Sequence, residues 1–196
     1  MEKEAATTNL SPSIFLTGFG AFGEYKTNPS WLAVQEVSKI WPNKGEIHIK
    51  EIPVEYKYVE ENVPKYLEDI KPKISVNVGV SGLAEDKLQL EYCAHSSDYV
   101  KPDIDGCIGP DCSKDVCLTT KFDLKKLIAC CTGSALPVER SDNAGRYLCE
   151  FIYYTSMKTD ECPSLFVHVP VITEEITLEK ITKTLESIIK ACIQQV

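Results

Sequence analysis

Apolar positions recur along this chain with two periods, near 2 and near 3.6, and their alternation sets out the order of elements. Ser13 to Thr17 is a short apolar run ended by Gly18, which reads as a first, buried strand. Trp31 to Ile40 keeps helical spacing through Trp31, Val34 and Val37, with Asn28 and Pro29 as cap and first helical residue, and Pro42-Asn43-Lys44-Gly45 stops it. Ile47 to Val54 alternates as a second strand. Tyr56 to Ile70 predicts a helix interrupted by Pro64, with Val59, Val63, Tyr66, Leu67 and Ile70 on its inner side. Ile74 to Val78 is a third strand, ending in Gly79-Val80-Ser81-Gly82, whose glycines permit close backbone approach. Leu88 to Cys93 alternates as another strand, Ala94 to Thr120 is a long polar surface loop, and Phe122 to Cys131 is a helix stopped by Gly133. Ala135 to Arg140 is a short strand in which Pro137 marks an edge or an end. Leu165 to Pro170 is a near-continuous apolar strand, and Thr177 to Ile193 an amphipathic helix with Leu178, Ile181, Leu185, Ile188, Ile189 and Cys192 inward. The alternation predicts an α/β fold in three layers, a mostly parallel twisted sheet with helices on both faces. It occupies residues 13–196 as a single domain, behind a flexible N-terminal tail, 1–12.

In such sheets ligands bind where strands end and helices begin. The loop from Gly18 to Gly23 follows the first strand, Gly79 to Gly82 follows the third, Cys149 lies just after a strand, and His168 lies near the end of the last. All four therefore fall on one edge. The stretch from Arg140 to Tyr154 carries the helix N-cap types Ser141, Asp142 and Asn143 and then the helical spacing of Leu148, Phe151 and Ile152, with Cys149 early in the helix. A helix beginning near Asn143 would do little for the Cys149 thiol; one beginning after Gly145 would bring the amide dipoles to bear on it. Each chemical residue also has a plainer role: Cys149 as a buried thiol, Glu91 on a solvated strand face, His168 as a hydrogen-bonded core residue. Cys149, His168 and Glu91 are nonetheless the types a thiol nucleophile needs, namely the sulfur, a proton carrier and a carboxylate that orients it.

Gly18-Phe19-Gly20-Ala21-Phe22-Gly23 is a literal G-x-G-x-x-G. A dinucleotide fingerprint needs its helix to open within the glycines, whereas here the helix signals wait until Asn28 and Pro29, and no acidic residue closes the next strand at the expected offset. Cys93, Cys107, Cys112 and Cys117 raise zinc, but they lack a paired C-x-x-C clip and no histidine beyond His95 interleaves, so no metal is expected.

With 196 residues and 43% hydrophobic content the chain can bury one sizeable core. A net charge of -8 and a pI near 5.0 argue against nucleic acid or an anionic membrane as partner. Met1 to Pro12 has no apolar core of a signal peptide, and no apolar run approaches the length of a membrane span. Nine cysteines, an odd count without a secretory signal, point to reduced thiols and a cytoplasmic address.

Four ordered segments between about Ile14 and Pro170 resemble the pyroglutamyl-peptidase I (pyrrolidone-carboxylate peptidase) family. Ala144-Gly145-Arg146-Tyr147-Leu148-Cys149 is similar to its cysteine signature, Phe166-Val167-His168-Val169-Pro170 to its histidine segment, Glu91 to its third catalytic residue, and Gly18 to Gly23 with Asn28-Pro29-Ser30-Trp31 to its opening motif. The resemblance implies a cysteine omega peptidase that removes N-terminal pyroglutamate through an acyl-thioenzyme, with peptides bearing that residue as partners and no cofactor. It makes Phe19, Phe22, Asn28 and the turn at Val80 the substrate pocket. A neutral lactam ring calls for apolar walls and a few backbone hydrogen bonds, which these residues suit. This chain departs from the family pattern at Ala21, where a proline is usual, and at Val80, where many bacterial members carry Gln; Lys101 stands near the position of a loop arginine. Two alternatives remain open, a catalytically silent relative acting as a binding protein and a small-molecule thiol amidase on the same fold.

Overall fold

The computed structural model describes residues 13–23 and 26–196; the tail expected at 1–12 lies outside the described residues. In chain order the elements are β1 (Ile14–Phe19), α1 (Pro29–Ile40), β2 (Ile47–Ile52), α2 (Tyr56–Ile70), β3 (Ile74–Val80), β4 (Leu88–Glu91), β5 (Cys93–His95), β6 (Cys117–Thr119), α3 (Leu124–Cys130), β7 (Val138–Ser141), α4 (Leu148–Thr159), β8 (Ser164–Val169) and α5 (Leu178–Ile193). Six strands form one sheet in the order β2-β1-β3-β8-β4-β7. The first four are mutually parallel, β4 is antiparallel to β8, and β7 runs parallel to β4 at the edge. The sheet is thus mostly parallel, as expected, and β7 lies at its edge and begins just after Pro137, which marked an edge or an end.

The strand period of 2 sorts side chains between two layers. Ile14, Leu16, Ile74, Val76, Val78, Leu165, Val167 and Val169 pack beneath α1, α3 and α5 in one aliphatic core. Phe15, Phe19 and Phe166 face α2 and α4 on the other side, with Val59, Val63, Leu67, Leu148, Phe151 and Ile152. Asn28 caps α1, its side chain accepting from the Ser30 amide, and Pro29 opens the helix. The helix therefore starts well past the glycines, as the argument against a dinucleotide site required.

Three expectations are corrected. Pro64 does not interrupt α2, which runs unbroken from Tyr56 to Ile70. The carbonyl deprived of its donor is that of Glu60, an exposed residue where water can serve. The run from Leu88 to Cys93 is not one strand: it divides at Tyr92, whose amide donates to Ser141 in the main sheet and whose carbonyl accepts from Thr120, so β5 leaves to pair with β6. And because β7 runs against β1, β3 and β8, its end does not deliver Cys149 to their carboxyl edge. The connection 142–147 carries the chain to that edge, where α4 begins.

Candidate active site

That connection ends in a turn with two consecutive positive φ angles, +96° at Gly145 and +47° at Arg146. Gly145 takes its conformation freely; Arg146 does so at a cost and is held by partners. Its amide donates to Glu150 Oε2 at 2.7 Å, and its guanidinium donates to the Ser97 carbonyl at 2.8 Å and lies 3.4 Å from the carboxylates of Asp98 and Asp115. Glu150, 1% exposed, also accepts from the His95 amide at 2.9 Å. A carboxylate in the first turn is favourably placed against the helix dipole. The outcome is a late start for α4, at Leu148, with Tyr147 as N-cap and no side-chain cap. Ser141, Asp142 and Asn143 are not its caps, and Cys149 is the second helical residue, where first-turn amides lack intrahelical partners.

The thiol reaches the sheet because Gly79 has no side chain. A Cβ there would lie 2.7 Å from both Cys149 Sγ and Phe166 Cζ. Below it, Thr17 Oγ1 donates to Asn77 Oδ1 at 2.8 Å and Asn77 Nδ2 donates to Ser156 Oγ at 3.1 Å, which ties α4 to β1 and β3.

On β8, His168 faces this same side, 6% exposed, with Phe166 edge-on to its ring at 4.8 Å. Its Nδ1 donates to Glu91 Oε1 at 2.7 Å. Glu91 is fully buried, not on a solvated face, and its Oε2 has no hydrogen-bond partner among the described residues. Among the described residues the imidazole is thus the one side chain hydrogen-bonded to that carboxylate. Burial alone would lower the His168 pKa, but hydrogen bonds with the Cys149 thiol first and Glu91 second outweigh it and push the pKa up to about 9. The three residues singled out in the sequence are therefore linked through one imidazole.

Beside Cys149 opens a cavity of about 150 Å³ lined by Phe19, Phe22, Asn28, Val54, Val80, Gly82, Tyr147 and Leu148. Drug-sized ligands occupy roughly 300–1,000 Å³, so this one suits a small ring. All four predicted pocket residues line it, by different means. Phe19 is buried and its amide donates to Ser30 Oγ at 3.0 Å; Phe22 is 38% exposed and leans on Tyr147 at 5.7 Å. Asn28 is buried and already engaged, Nδ2 to the Gly20 carbonyl and Oδ1 to Ser30. Gly82 belongs to the turn at Val80, whereas Tyr147, Val54 and Leu148 were not expected in the pocket. Tyr147 had a signal, as the aromatic within the cysteine signature; Val54 had none, being brought in by β2. Lys101 is exposed, does not line the cavity, and has its carbonyl held by Tyr56 Oη at 3.1 Å.

A profile of the Pyroglutamyl peptidase family matches residues 12–195. Pyroglutamyl-peptidase 1 of Homo sapiens is 36% identical over 185 residues, which cover 91% of this chain and 88% of the human one. A pyrrolidone-carboxylate peptidase of Clavibacter michiganensis is 30% identical over 180 residues, covering 84% and 81%. Among solved structures, a mutant pyrrolidone carboxyl peptidase from Pyrococcus furiosus superposes with a TM-score of 0.80 at 25% identity, over 94% of this chain and 99% of that one. Pyroglutamyl peptidase I from Bacillus amyloliquefaciens gives 0.79 at 23% identity over 91% and 95%, a likeness of fold.

Proposed function

This chain belongs to the pyroglutamyl peptidase family, and from that premise we propose that Cys149, His168 and Glu91 perform the removal of an N-terminal pyroglutamyl residue that defines the family's cysteine peptidases. The observation that carries the assignment is the continuity of nucleophile, proton carrier and pocket: the Cys149 thiol lies against Gly79, the residue in register with His168 on the next strand, whose imidazole is held by buried Glu91, and it opens on a small apolar cavity.

In the proposed sequence the Cys149 sulfur, paired with the His168 imidazolium, attacks the pyroglutamyl carbonyl. The resulting oxyanion is met by amide N–H groups at the start of α4, which no side chain caps. The C–N bond to the next residue then breaks, and His168 gives its proton to the leaving amine. Water attacks the thioester with His168 taking its proton; pyroglutamate leaves and the Cys149–His168 pair is restored. Glu91 touches no reacting atom and acts by orienting and stabilising the imidazolium. Phe19, Phe22, Val80 and Tyr147 form the walls for the lactam. No step needs a metal or organic cofactor. The same reading takes the protein as cytoplasmic, on its unpaired thiols, and as having no nucleic-acid or membrane partner, on its acidic charge. Among the described residues no helix is long and apolar enough to cross a membrane.

Two measurements test the assignment. The purified protein should release the fluorophore from a pyroglutamyl amide and not from the corresponding prolyl amide. Brief iodoacetamide labelling followed by mass mapping should modify Cys149 ahead of the exposed Cys107, Cys112, Cys117 and Cys130. Labelling confined to those four, with Cys149 untouched in active protein, would overturn the choice of nucleophile.

A further inference from the structure

The pairing of β5 with β6 assembles a second group of sulfur and nitrogen donors outside the reacting triad. Cys93 and His95 stand two residues apart on one face of β5, with Ala94 turned into the core between them. Across the ladder His95 is in register with Cys117, and Cys93 with Thr119. One donor atom from each of Cys93, His95 and Cys117 lies within 4.8 Å of the others. Cys93 is buried, His95 half-buried and Cys117 exposed, so the group is rooted in the protein and open to solvent at one corner. Cys107 and Cys112, which the sequence grouped with them, lie outside the cluster.

We propose that Cys93, His95 and Cys117 form a zinc site with a fourth position open to water. Two thiolates and an imidazole are a borderline-soft donor set of the kind that selects zinc over the hard, oxygen-seeking cations. Tetrahedral zinc, at about 2.3 Å from sulfur and about 2.0 Å from nitrogen, sets its donors roughly 3.5–3.8 Å apart, so donors that already lie within 4.8 Å of one another need a contraction of at most about 1.3 Å. His95 is already prepared for it. Its Nδ1 is held by the buried carboxylate of Glu150 at 2.8 Å, which leaves Nε2 as the ligating nitrogen. A histidine so held by a carboxylate is the usual support of a protein-bound zinc. Charge also balances: two thiolates neutralise the ion, leaving Glu150 to its bonds with the Arg146 and His95 amides.

Ligands placed this way leave no C-x-x-C clip in the sequence. A two-strand ladder supplies them differently, as C-x-H along one strand and a third donor from the strand opposite. Glu150 is next in the chain to Cys149 and fastens the turn that opens α4, so an ion on His95 reinforces the fastening of the helix start without touching the reacting atoms. The proposal stands whether or not Cys149 is the nucleophile.

The test uses the full chain carrying Cys149→Ser, so that the Cys149–His168 pair cannot supply a thiolate, kept reduced with a non-thiol phosphine. Titration with Co²⁺ should produce a thiolate-to-cobalt charge-transfer band and tetrahedral ligand-field bands that saturate at one equivalent. One equivalent of Zn²⁺ should bleach them and raise the melting temperature. Adding Cys117→Ser, an exposed and therefore harmless change, should weaken binding by more than the roughly 10–100-fold that loss of a supporting bond costs, whereas adding Cys112→Ser should leave both spectrum and affinity unchanged. The absence of a charge-transfer band, or a band that persists in the Cys117→Ser protein and disappears in the Cys112→Ser protein, overturns the proposal.

Discussion

The two faces of the sheet are made by alternate residues of the same strands, yet they are built to different ends. The face beneath α1, α3 and α5 is an unbroken aliphatic layer, to which β8 contributes Leu165, Val167 and Val169. The face beneath α2 and α4 receives Phe166 and His168 from that same strand, Thr17 from β1, Asn77 from β3 and Glu91 from β4, all of them buried. A buried polar group costs free energy unless paired, and here nearly every one is: Thr17 with Asn77, Asn77 with Ser156, Glu91 with His168. The exceptions on this face include Ser75 Oγ and Glu91 Oε2. One face therefore supplies stability by burial, while the other uses that stability to hold a half-satisfied carboxylate against an imidazole.

The sharpest way to break the comparison is on β8 itself. His168→Ala should abolish acyl-enzyme formation, and Cys149→Ala likewise, while each leaves a cooperative fold. Leu165→Ala, three residues before His168 and facing the other way, should cost about 2–5 kcal/mol of stability with kcat of the folded fraction little changed. Denaturant melts and kinetics on the three variants decide it. A Leu165→Ala enzyme that is stable but inactive would mean the two faces are not separable.

A smaller effect is expected from Glu91→Gln, which keeps a hydrogen bond to the imidazole and removes the charge. Turnover should fall by roughly 10- to 1,000-fold, short of the complete loss from His168→Ala, and alkylation of Cys149 should slow. Unchanged kinetics in a folded variant would reduce the triad to a pair.

The pocket sharpens the contrast further, since its two phenylalanines belong to different regimes. Phe22 is partly exposed and packs on Tyr147, so Phe22→Ala should lose on the order of 1–3 kcal/mol of transition-state binding with the melting temperature nearly intact. Phe19 is 3% exposed and belongs to the core under α2 and α4 as well as to the cavity, so Phe19→Ala should lower both. Equal effects of the two on stability would contradict the packing described here.

What the sequence made legible was local. Periodicity located the helices and most of the strands, Asn28-Pro29 marked the start of α1, and the sulfur, imidazole and carboxylate were nominated by residue type and by resemblance. Strand direction was not legible: β4 and β7 run parallel to each other and against the other four strands of the sheet, so Cys149 reaches the expected edge through the connection 142–147 and not from the end of its strand. Nor was the burial of Glu91, because alternation in Leu88 to Glu91 says which residues share a face and not whether that face is covered. Here α4 covers it, and Tyr153 Oη donates to the Glu91 carbonyl at 2.9 Å. Contacts between distant segments, such as Val54 at the cavity and Cys117 opposite His95, leave no local trace at all.

The smallest expected effect isolates the charge on the polar face by its pH dependence. His168 has its pKa raised from the ordinary 6.5 to about 9, so the folded protein holds that proton more tightly than the unfolded chain does. The sign follows: this group's contribution is fully present below pH 6.5, declines as the pH rises through the window, and is lost above about 9. The groups facing the ring are Glu91 from β4 and Cys149 from α4, and Glu91→Gln removes only the Glu91 share. Its stability should therefore fall less steeply than that of the parent across the same window, by a difference on the order of 1 kcal/mol. Slopes must be compared, because the lost charge also changes stability by a constant amount at every pH. The window has an upper limit set by the buried thiols: burial pushes Cys162 up to about 11 and raises Cys192 further, so their contributions begin to fade only above the ordinary thiol value of 9. Denaturant midpoints measured below that limit for the parent and for Glu91→Gln test the point, and parallel slopes would show that the Glu91 charge does not hold the His168 proton.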